Sequence, residues 1–195
     1  ENDIPLYGLE SGDSIKDFDM IGFTMQYEMS YTNVLNMLDL AGLPVRSKDR
    51  TDLTPIVCAG GPCVCNPEPI ADFIDIFTPG EGEEIVNELI DLLEKHKKLG
   101  STKLEFLREA AQLEGVYVPA FYDVNYNDDG TIKEVVNREN APKIVKKRII
   151  SDLNTVFYPE NFVVPFIEVV HDRAVSEIFR GCIRGCRFCQ AGFIY

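Results

Sequence analysis

Phe18–Met25 is an unbroken apolar run of strand length, the pattern of a strand buried on both faces in a parallel sheet. The next apolar positions, Val34, Leu35, Leu38 and Leu40, fall on or near one face of a helix over residues 30–41, which Gly42 ends. A second apolar run, Pro55–Ala59, leads directly into Gly60-Gly61-Pro62, and a third, Asp75–Thr78, into Pro79-Gly80-Glu81-Gly82. Between them, residues 69–73 read as a short helix. Residues 83–97 form a strong helix, with acids in its first turn and Lys95, His96, Lys97 and Lys98 at its end. Strands alternating with helices predict an α/β fold built on a doubly wound parallel sheet. Pro5–Glu10 reads as a further short strand.

The pattern changes after Gly100. A helix is predicted over 102–113 and short strands over 116–118 and 121–126. The Asn127-Asp128-Asp129-Gly130 turn leads into a strand over 131–136, giving a small antiparallel segment, and another strand is predicted over 144–150. Residues 153–170 carry Pro159 and Pro165 and read as an irregular linker, and 174–179 alternate as a strand. Boundaries are placed near residues 100 and 165, dividing the chain into 1–100, a helix-plus-hairpin connector over 101–164, and 165–195.

Composition narrows the class. The chain has 195 residues, 45% of them hydrophobic and 26% charged, enough for a globular core. No apolar run has the length of a bilayer span, and no signal peptide is visible, so no membrane role is expected. A net charge of −13 opposes grip on a phosphate backbone, so nucleic acid is not indicated as a partner. Six cysteines outside any small secreted pattern indicate a reducing, cytoplasmic setting. The chain begins at Glu1 without an initiator Met and stops six residues after Cys189, so it is expected to be part of a longer protein.

The chemistry gathers in Arg180-Gly181-Cys182-Ile183-Arg184-Gly185-Cys186-Arg187-Phe188-Cys189-Gln190. Three thiolates at Cys-x3-Cys-x2-Cys spacing are able to hold three irons of a cubane and leave one iron open. Gly181 and Gly185 allow a tight loop, and Arg180, Arg184 and Arg187 place positive charge beside anionic sulfur. A zinc site or a partial disulfide set are the plain alternatives. Structural zinc wants four ligands, and His171 lies eleven residues upstream of Cys182. His171 itself reads as structural or functional with equal ease. Cys58 sits in a strand as a small core residue, while Cys63 and Cys65 follow Gly-Gly-Pro as candidates for redox or metal chemistry. No catalytic acid, base or nucleophile can be named from these residues.

The three-cysteine motif, with Phe188 before its last cysteine, resembles the radical S-adenosylmethionine (radical SAM) enzymes. The resemblance implies that Cys182, Cys186 and Cys189 ligate a 4Fe-4S cluster, that the open iron chelates S-adenosylmethionine, and that the Phe188 backbone lies near its adenine. It also implies a reducing electron donor and a barrel of which residues 165–195 are the start.

The glycine turns are similar in arrangement to those of the cobalamin-binding class of the same enzymes, whose Rossmann-like domain holds the cofactor tail. That similarity implies a cobalamin site at Thr24, Gly60, Gly61, Pro62, Gly80, Glu81 and Gly82, with the first strand of the sheet missing. The run from Gly60 to Glu84, with RGCIRGCRFCQAGFIY, resembles an uncharacterised bacterial radical SAM family whose members sit beside or are fused to a partner domain. The expected function is cobalamin-dependent methyl transfer. The alternatives are a cobalamin-independent radical reaction, such as RNA modification of the methylthiotransferase kind, and a non-catalytic binding module for the isolated piece.

Overall fold

A computed structural model describes residues 4–161, 165–170, 173 and 175–195. Three parallel strands form the central sheet in the order β1 (Met20–Thr24), β2 (Ile56–Gly60) and β3 (Ile76–Thr78). Met20 pairs with Ile56 and Thr24 with Gly60; Cys58 pairs with Ile76 and Gly60 with Thr78. The three predicted apolar runs are therefore parallel neighbours. β1 differs in one respect from its expected central place: among the described residues it pairs with β2 alone, and its Gly22 and Thr24 are exposed.

Side chains alternate across a strand, and the two faces of β2 and β3 show it. Ile56 and Ile76 join one core with Leu89 and Leu93 of α2 (Ile85–Leu99) and Phe106 and Ala110 of α3 (Lys103–Ala110). Val57, Ala59 and Phe77 join the other with Val34 and Leu38 of α1 (Tyr31–Leu40). Helices thus cover both faces. Residues 68–73 form a 3-10 turn that delivers Ile70 to the second core. α2 ends at Gly100, whose φ of 65° satisfies the left-handed cap, and α3 starts at a capping box between Thr102 and Glu105.

Beyond α3, β4 (Tyr122–Tyr126) and β5 (Ile132–Asn137) form the expected antiparallel hairpin. Val116, Val118, Phe121 and Ala141 belong to the same core as α2 and α3, so this stretch packs onto the sheet rather than apart from it.

Four predicted strands are not formed. Residues 5–10 give a single bridge from Tyr7 to Ser14, because the chain turns at Leu9. Residues 116–118 give one antiparallel bridge, Tyr117 to Phe77, which extends the sheet at the outer side of β3. Residues 144–150 give one parallel bridge, Arg148 to Gly80; the lysines at 146 and 147 carry charge that a buried strand cannot hold. Residues 175–179 are extended but unpaired, with Val175, Ile178 and Phe179 exposed. Ala174 and His171 lie outside the described residues.

The chain divides into two units, Glu1–Ile149 and Ile150–Tyr195. In the second, the regular elements are a 3-10 turn, Leu153–Thr155, and the short helix α4 (Ala191–Ile194). No helix among the described residues is long and apolar enough to cross a membrane.

Candidate functional site: a three-cysteine loop and a closed sheet edge

The cysteine loop is shaped by its glycines. Gly181 and Gly185 adopt φ of 84° and 61°, conformations that L side chains rarely take. The chain bends at Arg184 between them, a tight turn follows with Cys189 N–H donating to the Cys186 carbonyl at 3.1 Å, and then comes α4. Cys182, Cys186 and Cys189 wall one cavity of about 260 Å³, together with Ile183, Gly185, Gly192 and Phe193. All three thiols are exposed and none is in a disulfide.

Three thiols with apolar neighbours suit a soft iron–sulfur group better than a hard, oxygen-seeking ion. The donor set fits the cluster that the motif implies. The ligand geometry is not assembled, since among the described residues no three His, Cys, Asp or Glu side chains form a metal-binding group. Phe188 is 92% exposed beside Cys189.

The second predicted site lies at the carboxyl ends of the strands. The fold does bring its positions to one edge: Thr24 ends β1, Gly60 ends β2 with Gly61 and Pro62 following, and Gly80, Glu81 and Gly82 follow β3. Two of the glycines there, Gly61 and Gly80, are committed to the protein's own backbone. A Cβ on Gly61, at φ 96°, would lie 2.8 Å from the Met25 carbonyl oxygen. A Cβ on Gly80, at φ 104°, would lie 2.5 Å from the Arg148 nitrogen and closer still to its oxygen. Arg148 N–H donates to Pro79 at 2.9 Å, and Glu81 N–H donates to Arg148 at 3.0 Å, clamping a strap over the end of β3. The Arg148 guanidinium then reaches Glu84 at 2.8 Å and also Glu88. Gly61 and Gly80 therefore offer a corrin no open backbone, whereas Gly82 has no neighbour nearer than 3.9 Å.

Cys58 is half-buried in β2, where burial first and the Asp75 charge second push its thiol up to about 11, so it stays protonated. Its thiol donates to the Ile21 carbonyl at 3.5 Å. Cys63 is buried in the turn after Gly61, and burial with nearby Glu28 and Cys65 raises its pKa as well. Cys65 is exposed. Two thiols held protonated make poor metal ligands or nucleophiles. His96 is buried at the end of α2, its Nε2 lies 3.0 Å from Glu109 of α3, and its ring meets Phe106 edge-on.

One polar cluster was not foreseen from the pattern. Asp75, just before β3, is 2% exposed and accepts from the Val57 N–H at 2.8 Å, Lys103 Nζ at 2.8 Å, Arg50 Nη2 at 3.1 Å and the Ser47 hydroxyl. Arg50 also donates to the carbonyls of Pro44, Val45 and Phe73. Burial lowers the Lys103 pKa, against the pull of Asp75. The signal was available: Asp75 is the one charge in Ile74-Asp75-Ile76-Phe77, and a carboxylate in such a run must be paired. The cluster ties the 44–50 loop and α3 to the amino end of the sheet, opposite to the edge where ligands bind in such folds.

The comparisons with known proteins agree with the cysteine motif from an independent part of the chain. Residues 1–119 match the family described as radical SAM proteins, N-terminal. Over 194 residues the chain is 28% identical to an uncharacterized protein of the archaeon Methanocaldococcus jannaschii, an alignment covering 98% of this chain and 34% of that one. The chain thus spans about a third of that relative's length. No solved structure matches. With more than half of its residues inside the family match, and that match ending well before Cys182, the chain belongs to the N-terminal family of radical SAM proteins.

Proposed function

We propose that the whole protein is a radical SAM enzyme whose 4Fe-4S cluster is held by Cys182, Cys186 and Cys189. The observation that supports this most is the single cavity walled by all three thiols, in a chain of this family. When bound, such a cluster supplies the electron that cleaves S-adenosylmethionine reductively to a 5′-deoxyadenosyl radical. The chain's own residues supply the rest. Cys182, Cys186 and Cys189 would hold the group, and Gly181 and Gly185 take the positive-φ conformations that shape their loop. The Phe188 backbone is assigned to the adenine of S-adenosylmethionine. Residues 4–149 act as a scaffold, and no corrin step is assigned to them because Gly61 and Gly80 are filled by backbone. The reaction is therefore read as cobalamin-independent, on a substrate selected elsewhere in the longer protein.

The test is 5′-deoxyadenosine formation by full-length protein, reconstituted without oxygen and supplied with S-adenosylmethionine and a low-potential reductant. Formation is expected in the wild type and abolished in Cys186→Ala. A wild type that carries a full cluster yet releases no 5′-deoxyadenosine would overturn the assignment.

A further inference from the structure

Two tyrosines of the first unit have no part in the reaction proposed above. The rings of Tyr117 and Tyr122 lie with centroids 4.8 Å apart and planes tilted by 41°. Tyr117 is fixed at both ends. Its backbone exchanges two hydrogen bonds of 2.8 Å with Phe77 of β3, and its hydroxyl donates to Glu68 Oε1 at 2.6 Å, a charge-assisted bond. The Tyr122 hydroxyl donates instead to the Pro142 carbonyl at 2.7 Å. Burial first, and the bond to Glu68 second, hold the Tyr117 phenol well above its usual pKa, so it keeps its proton at neutral pH. Tyr117 packs against the core that contains Met25 and Cys63, two side chains that oxidation would damage.

We propose that Tyr117 is a one-electron oxidation site, with Glu68 as its proton acceptor. A phenol gives up an electron readily only when its proton leaves with it, because the oxidised phenol is a very strong acid. Glu68 is a carboxylate already in hydrogen-bond contact, so the proton has only that bond to cross. The carbonyl that faces Tyr122 is a far weaker base, so an electron vacancy shared by the two rings settles on Tyr117. In the step, an outer-sphere one-electron oxidant takes one electron from the Tyr117 ring and is reduced by one. The Oη–H bond breaks, and the proton bonds to Glu68. A one-electron donor of the ascorbate class returns the electron, and Glu68 returns the proton. The site diverts oxidising equivalents from Met25 and Cys63, whose oxygenated products a single electron does not restore. It lies wholly within residues 4–149 and is independent of the cluster assignment.

The experiment uses full-length protein isolated without iron, with photogenerated ruthenium(III) tris-bipyridine as the oxidant. Radicals are read by freeze-quench electron paramagnetic resonance, and sulfur oxidation by peptide mass spectrometry. The wild type is expected to give a tyrosyl signal that is largely lost in Tyr117→Phe, a change that keeps the ring and the backbone. Tyr122→Phe should retain the signal. Glu68→Gln keeps a hydrogen-bond acceptor but cannot hold the proton, and should slow radical formation by about a hundredfold. Oxidation of Met25 and Cys63 should rise in both Tyr117→Phe and Glu68→Gln. If Glu68→Gln perturbs the turn that carries it, the pair Tyr117→Phe and Tyr122→Phe still decides which ring holds the radical. A signal that survives Tyr117→Phe undiminished, or a folded Glu68→Gln that is oxidised as fast as the wild type, would overturn the proposal.

Discussion

In residues 4–149 both faces of β2 and β3 are covered, with Ile56, Ile76 and Phe77 fully buried, and the buried Asp75 receives four donors. In residues 150–195 the large apolar side chains stand in the open: Phe166, Ile183 and Phe188 are each more than 90% exposed, and Phe157 and Phe193 more than 80%. The first region has spent its special residues on itself. Its positive-φ glycines at 61 and 80 meet Met25 and Arg148, and its Asp75 binds its own cations. The second has unspent groups, including three free thiols and unburied aromatics. A region that has satisfied its own polar and apolar groups is a scaffold, whereas one that has not is where a cofactor, further chain or a partner is to be added.

The difference can be broken by mutation. Asp75→Ala would leave Arg50 and Lys103 buried and uncompensated, and is expected to cost about 3–5 kcal/mol in denaturant unfolding. Gly80→Val and Gly61→Val force a side chain into backbone at positive φ, and about 2–4 kcal/mol is expected for each, while Gly82→Ala, with no neighbour nearer than 3.9 Å, should change stability by less than about 0.5 kcal/mol. Thr102→Ala removes the α3 capping box, for about 1 kcal/mol. Phe166→Ala, in the open region, should sit below about 0.5 kcal/mol. If Phe166→Ala cost as much as Gly80→Val, the contrast between the regions would be lost.

Thiol labelling sharpens the same contrast by pH. Cys58 has its pKa raised from 9.0 to about 11, so at mildly alkaline pH its thiolate fraction is about a hundredfold below that of an ordinary thiol. Cys65, Cys182, Cys186 and Cys189 are exposed and should label first, and Cys58 should label only as the pH approaches 11. Because the folded state holds this proton more tightly than the unfolded one, the contribution of Cys58 to stability is intact below pH 9. It is lost as the pH rises through about 11.

The parallel sheet was readable because three apolar runs, each followed by a glycine turn, leave little choice of partner. The cysteine loop was readable because its spacing is local. What escaped the sequence was long-range. Nothing around Gly80 announces Arg148, 68 residues away, as the backbone that fills it, so the glycine looked available to a ligand. Residues 144–150 carry β-branched pairs at both ends and suggested a strand, yet a single bridge forms there because Lys146, Lys147 and Arg148 need water or acids. The Asp75 cluster joins residues from four segments that share no local pattern.

One measurement bears on the whole account: iron, sulfide and the visible spectrum of full-length protein purified without oxygen, before and after incubation with hydroxocobalamin and removal of the excess. The account predicts about four irons and four sulfides per chain, lost in Cys182→Ala/Cys186→Ala/Cys189→Ala, and no corrin bands retained in either protein. A retained stoichiometric corrin would contradict the closed sheet edge, and a full cluster in the triple variant would contradict the cysteine loop.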